Sequence, residues 1–218
     1  MPAFPLGPRG PPLPKRSAFF PRALNVDLYD KETDMKSVRI LGGASLILAL
    51  CCFAGNAEAA HLVTGSALIA GCTDPAVSGF GLLIEAPSSE GVKLVTVTLW
   101  VSGLPDGKHA VHIHETGNCT PCAAANGHFD PGPASNSSPD GNHPYHSGDL
   151  INIDVKNGFG VLNTVTSRVT LSAGPLSVFD ADGSSFIIHI NPDTYCPGGA
   201  VAGCAGGGRA ACGIITAN

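Results

Sequence analysis

Two histidines, His112 and His114, stand in Val111-His112-Ile113-His114, where apolar and imidazole side chains alternate. Side chains on a β-strand repeat every two residues, so both imidazoles project from one face and can aim nitrogens at a single ion. Taken alone, an H-x-H pair is as well explained by two polar residues on a solvated face. More histidines follow: His128, His143 and His146 lie with Asp149 in or beside a long loop, and His189 sits on a later apolar strand, where an unpaired imidazole is costly to bury. Imidazole-rich sets suit copper and zinc, and a carboxylate among histidines suits zinc better than copper. The chemistry on offer is metal coordination.

Strands must position these side chains. Runs rich in Val, Ile, Leu and Thr recur between turn signals, at residues 67–70, 79–85, 93–101, 109–114, 150–155, 159–162, 186–190 and 211–216. Pro105-Asp106-Gly107 is a strong turn before the fourth run. Residues 115–148 are rich in Gly, Pro, Asn, Ser and His and read as a long loop, and 191–208 as a second; loops of that length in a compact domain are usually functional. Eight short strands with little helical period predict an all-β, antiparallel Greek-key sandwich or barrel carrying two long functional loops.

The N-terminal part has a different character. Residues 1–34 hold seven prolines and no hydrophobic period, and read as a disordered or non-native extension. From Met35, the basic Lys36 and Arg39, the apolar run Ile40 to Ala54 and the small-x-small Ala57-Glu58-Ala59 form a secretory signal pattern over 35–59, which makes Met35 the expected start. The apolar run is shorter than the 18 or more residues that a membrane span needs, so no stable anchor is expected after cleavage. Residues 60–218 form the expected mature domain, with five Lys and Arg against twelve Asp and Glu, a formal charge of −7. This acidic balance argues against a nucleic-acid partner. All eight histidines and six cysteines (Cys72, Cys119, Cys122, Cys196, Cys204 and Cys212) fall in this part. Export with an even cysteine count favours disulfides and a secreted or periplasmic location. Asn136-Ser137-Ser138 is an N-glycosylation pattern that matters only in a eukaryotic secretory route.

Four segments, His112-Ile113-His114-Glu115, Gly127-His128-Phe129-Asp130-Pro131, His146-Ser147-Gly148-Asp149-Leu150 and Gly208-Arg209-Ala210-Ala211-Cys212-Gly213, resemble in kind and order the signature segments of Cu/Zn superoxide dismutases. The resemblance covers nearly all of residues 62–216. It implies that His112, His114, His128 and His189 bind copper, with His128 bridging to zinc, and that His146 and Asp149 bind zinc. The family's remaining zinc histidine falls on Asn136, a poor ligand, and His143 is the candidate substitute. The resemblance makes Asp193 an outer carboxylate that hydrogen-bonds ligand histidines from both sites, and Arg209 the cation that draws superoxide to the metal. It also implies that Cys212 pairs with a loop cysteine: Cys122, six residues before His128, has the better spacing, and Cys119 is the other candidate. Cys196 and Cys204 bracket a glycine-rich hairpin and are expected to bridge each other, leaving Cys72 for the remaining loop cysteine. The implied activity is dismutation of superoxide by copper redox cycling, with His128 taking part in proton transfer. The rival reading is a copper-binding module of the same fold without turnover. Oligomeric state is left open, a homodimer included.

Overall fold

The computed structural model describes residues 62–132 and 141–218. The extension, the signal segment and Asn136 lie outside the described residues. Ten strands run in the order β1 (Val63–Gly71), β2 (Ser78–Pro87), β3 (Lys93–Ser102), β4 (Gly107–His109), β5 (Val111–His114), β6 (Ile153–Lys156), β7 (Phe159–Thr166), β8 (Ser185–His189), β9 (Arg209–Ile214) and β10 (Thr216–Ala217). All named pairings are antiparallel, and the sheet order is β4-β6-β7-β3-β2-β1-β9-β8-β5, with β10 against β1.

β4 and β5 occupy opposite edges of this sheet, yet only Ala110 separates them in the chain. The single run expected at 109–114 is therefore broken at one residue. Its two halves join the two edges and bend the sheet round into a nearly closed barrel, a closure that removes exposed edges. Counting β4 with β5 and β10 with β9 recovers the eight strands read from the sequence. The β3–β4 connection passes β7 and β6, and the β7–β8 connection passes β6 and the strand formed by β4 and β5, as Greek-key crossovers do.

Alternation fills the interior. Along β3, Val95, Val97, Leu99 and Val101 are buried while their neighbours face outward, and they meet Leu83 of β2, Leu162 of β7 and Ile113 of β5 in one core. β6 begins at Ile153, three residues later than the sequence suggested, because Asn152 uses its side chain to hold the second long loop.

One carboxylate faces inward with the core residues. Glu85 of β2 is only 6% exposed and accepts hydrogen bonds from the backbone N–H groups of Leu171 (2.6 Å) and Ser172 (3.0 Å), with Lys93 Nζ at 3.3 Å. It ties the β7–β8 crossover to the barrel end. Burial alone would raise the Glu85 carboxyl, but these contacts outweigh it and hold the group below its ordinary value of 4.5. A carboxyl lowered on folding stabilises the protein above its unfolded value, and that contribution disappears as pH falls through the folded one. Glu85→Gln is therefore expected to cost about 1.5–3 kcal/mol at pH 7, the range for hydrogen bonds to a charged group. The gap to wild type should narrow below pH 4.5 in denaturant unfolding; a gap that does not change with pH would refute the assignment.

Candidate metal centre

β5 divides its side chains as the sequence predicts. Val111 and Ile113 enter the barrel core, and His112 and His114 face away from it, yet both imidazoles are fully buried because the two long loops cover that side. Isolated bridges attach the first loop to β5, pairing His114 with His128 and His112 with Asp149. Gly148 permits this approach, since a Cβ there would lie 2.2 Å from the Ile113 carbonyl oxygen. Gly206, with φ of +96°, does the same for the second loop: a Cβ would fall 2.7 Å from that of His189.

Four buried histidines, His112, His114, His128 and His189, offer ring nitrogens that lie within 4.8 Å of one another. Three have their tautomer set from behind. His112 Nε2 donates to Asp193 Oδ2 (3.0 Å), His114 Nδ1 to the Asn126 carbonyl (2.9 Å) and His189 Nδ1 to the Gly207 carbonyl (2.9 Å). The opposite nitrogen of each neutral ring then carries a lone pair. Those of His112 and His189 face each other at 3.1 Å, and His114 Nε2 and His128 Nε2 are buried with no hydrogen-bond partner. Converging lone pairs repel unless a cation lies between them. Burial, the leading cause, lowers all four imidazoles, His112 to about 3 and His189 to about 4, so the rings are neutral and ready to coordinate at pH 7.

A second cluster adjoins the first. The Asp149 carboxylate lies 2.7 Å from His128 Nδ1, 2.9 Å from His146 Nδ1 and 3.1 Å from His143 Nδ1. His112, His128, His143 and Asp149 offer ligand atoms within 4.8 Å of one another, with His146 reached through Asp149, a donor set of imidazoles and a carboxylate that suits zinc. His146 Nε2 and His143 Nδ1 have no hydrogen-bond partner, and His143 Nε2 bonds Asp193 Oδ2 at 2.7 Å. Burial alone would lower His143, but the Asp149 and Asp193 carboxylates outweigh it and hold the ring up at about 9. Bonds from these histidines also hold both carboxyls well below their usual range, against the effect of burial. Asp193 therefore contacts one histidine of each cluster, and His128 faces both clusters through its two nitrogens. In this way the fold brings together every histidine and carboxylate singled out in the sequence.

Arg209 stands at the start of β9, half-buried, and its guanidinium donates to the carbonyls of Cys122 and Asn126. The Asn126 carbonyl is thus shared with His114. Asn126 holds a φ of 59° with ψ of −145°, outside the left-handed helical region that asparagine commonly visits.

Two disulfides hold the loop that carries these carbonyls. Cys212 pairs with Cys119, and Cys122 with Cys72, which corrects the pairing of Cys122 with Cys212 favoured by spacing. All four half-cystines pack in one apolar cluster around Ala125 and Ile187, and a 3-10 turn at Cys122–Ala125 starts at Cys122 itself. Distance from His128 along the chain therefore could not discriminate between them. Cys196 bridges Cys204 as expected.

Three contributors were not found from sequence. His109 places Nδ1 2.9 Å from the His189 carbonyl and Nε2 2.9 Å from that of Pro105, fixing the backbone under a candidate ligand. Asn152 holds Asp193 at two points, accepting its N–H (2.7 Å) and donating to its C=O (3.0 Å). Asn126 supplies the shared carbonyl. All three act on or through backbone groups, which leave no side-chain pattern to read.

Residues 77–215 match the family model of copper/zinc superoxide dismutase. A Cu-Zn superoxide dismutase of Deinococcus radiodurans is 39% identical over 154 residues, covering 63% of this chain and 77% of that protein. Superoxide dismutase [Cu-Zn] 2 of Brassica juncea is 36% identical over 133 residues, covering 59% of this chain and 84% of that one. Among solved structures, the clock protein EA4 is similar with a TM-score of 0.54 and 24% identity over 70% of this chain and 92% of that one, a likeness of fold alone. A mutant SOD-like protein from Bacillus subtilis gives 0.52 at 25% identity, covering 68% and 95%.

Proposed function

Because the chain belongs to the Cu/Zn superoxide dismutase family, we propose that it converts superoxide to oxygen and hydrogen peroxide at a copper held by His112, His114, His128 and His189. Zinc is held beside it by His128, His143, His146 and Asp149. The observation that carries this reading is the set of three imidazoles whose outer nitrogens are committed to Asp193, Asn126 and Gly207 while their lone pairs converge on one point. When bound, copper supplies the alternation between Cu(II) and Cu(I) by which one superoxide is oxidised to oxygen and a second is reduced, with two protons, to hydrogen peroxide.

The chain supplies the rest. Arg209 keeps its charge at any working pH, and its anchoring to the same carbonyl that orients His114 fixes where an anion is drawn relative to the copper histidines. His128 carries a buried Nε2 toward the copper set and Nδ1 toward Asp149, so a proton on Nε2 is the one that this ring can hold or release during turnover. His112 and His143, both held by Asp193, keep the two clusters in register. Three disulfides among the described residues support export to a periplasm or the cell exterior.

Residues 194–208, which include the covalently closed Cys196–Cys204 hairpin, contain no Lys, Arg, Asp or Glu. Attraction therefore falls to Arg209, over distances shorter than the Debye length of about 8 Å at physiological salt. Raising ionic strength from 10 to 150 mM is expected to lower kcat/KM no more than about threefold, and Arg209→Ala to lower it about tenfold or more at either salt. A steep salt dependence retained in the alanine variant would show that other charges steer.

The test of the function is metal content together with dismutation rate of the purified protein. One copper with rapid turnover supports the reading, and stoichiometric copper without turnover replaces it with a metal-binding module.

A further inference from the structure

After the 3-10 turn at Cys122–Ala125, the described part of the first long loop reaches the second cluster without further helix or strand. Its C-terminal end is well held, with Gly148 N–H donating to the Phe129 carbonyl (2.8 Å) and Ile113 N–H to the Gly148 carbonyl (2.9 Å). Farther back, at His143-Pro144-Tyr145, strand pairing is absent among the described residues. There Arg168, just after β7, grips the backbone from outside the loop, while Asp193 holds the His143 ring. Arg168 Nη1 donates to the Pro144 carbonyl at 3.1 Å and its Nη2 to the Asp149 carbonyl at 2.5 Å.

The chemistry of these contacts is specific. A guanidinium presents donors in a rigid fork and can serve two carbonyls at once, whereas a lysine ammonium on its flexible stem is a point charge. Arg168 makes no ion pair among the described residues, so the fork is committed to backbone. The two carbonyls flank the ligand run: Pro144 directly follows His143, His146 lies between, and Asp149 is itself the carboxylate residue. The arginine in turn is fixed at its root, its N–H donating to Thr166 Oγ1 (3.1 Å) and the next residue, Val169, fully buried in the core.

We propose that Arg168 is the positioning residue of the zinc site, holding the chord from Pro144 to Asp149 at the span that lets His143, His146 and Asp149 converge. In this chain the histidine supplied from the loop is His143, only three residues before His146. Such a tight chelate needs its span set from outside. The inference rests on the reading of His143 as a zinc ligand.

The experiment compares wild type, Arg168→Ala, Arg168→Lys and His143→Ala. It measures zinc affinity by competition with a chromophoric chelator and the visible spectrum of Co(II) substituted at the zinc site. Copper content and the unfolding midpoint of metal-free protein are measured alongside. Arg168→Ala and Arg168→Lys are both expected to weaken zinc about 10–100-fold, the usual effect of removing support behind a metal ligand. The tetrahedral Co(II) bands should lose intensity while copper content stays at wild-type level. Wild-type zinc affinity and Co(II) bands in Arg168→Ala would overturn the proposal, as would full rescue by lysine, because charge alone would then suffice. Loss of copper and of metal-free stability in step with zinc would also overturn it, assigning Arg168 to general stability. If His143→Ala binds zinc as wild type does, it is the ligand assignment that fails; if His143→Ala loses zinc and Arg168→Ala does not, only the role of Arg168 fails.

Discussion

A His143→Ala chain is expected to keep one copper and lose stoichiometric zinc, with zinc affinity down by about 100-fold or more, since removal of outer support alone typically costs 10–100-fold. His143 meets two requirements at once. Its Nδ1 lies 3.1 Å from Asp149 within the cluster, and its Nε2 lies 2.7 Å from Asp193, the carboxylate that also holds His112. Removing the ring empties a ligand position and leaves Asp193 with one imidazole partner fewer. Copper should stay because His112, His114 and His189 are each still held by Asp193, Asn126 and Gly207. Elemental analysis after dialysis against equimolar copper and zinc decides the matter. Full zinc in the variant would mean that the site is completed by another donor.

The second large effect concerns the disulfides. Cys119 and Cys212 lie 93 residues apart, and removing a crosslink over a loop of that size costs about 4–5 kcal/mol on chain-entropy grounds. Cys196 and Cys204 are separated by 8 residues, for which the same relation gives about 2–3 kcal/mol. A double alanine variant at Cys119 and Cys212 should therefore unfold at clearly lower denaturant than one at Cys196 and Cys204. It should also lose activity before it unfolds, because the loop, then tied by Cys72–Cys122 alone, carries the Asn126 carbonyl that orients His114 and receives Arg209. Peptide mapping without reduction gives the connectivity directly; a fragment joining Cys122 to Cys212 would contradict the pairing described above.

How far the sequence reaches can be judged from these same residues. Strand alternation put His112 and His114 on one face but did not by itself make them ligands, and clustered imidazoles pointed to metal binding; the roles of these two and of His128, His146, Asp149 and His189 came from the resemblance to Cu/Zn superoxide dismutases. His143 could be nominated but not placed: a loop residue's direction depends on contacts made far away, here with Asp193, fifty residues on. The cysteine partners were ambiguous because two half-cystines three residues apart reach the same cluster. The break at Ala110 left no mark, since a strand that changes edges keeps its alternation on both sides. Arg168, His109, Asn126 and Asn152 were invisible for one shared reason: each acts on or through main-chain groups.

That break at Ala110 also governs the order in which the molecule can mature. β5 carries His112 and His114, and its neighbour β8 ends in His189; β8 reaches the rest of the sheet through β9, which pairs with β1 near opposite ends of the described chain, Ala70 against Cys212. The histidines proposed to hold copper are thus assembled by contacts of very long sequence separation, the kind that form slowly. Metal capture by a refolding chain becomes a stopwatch for barrel closure, and copper supplied early waits for the last strand.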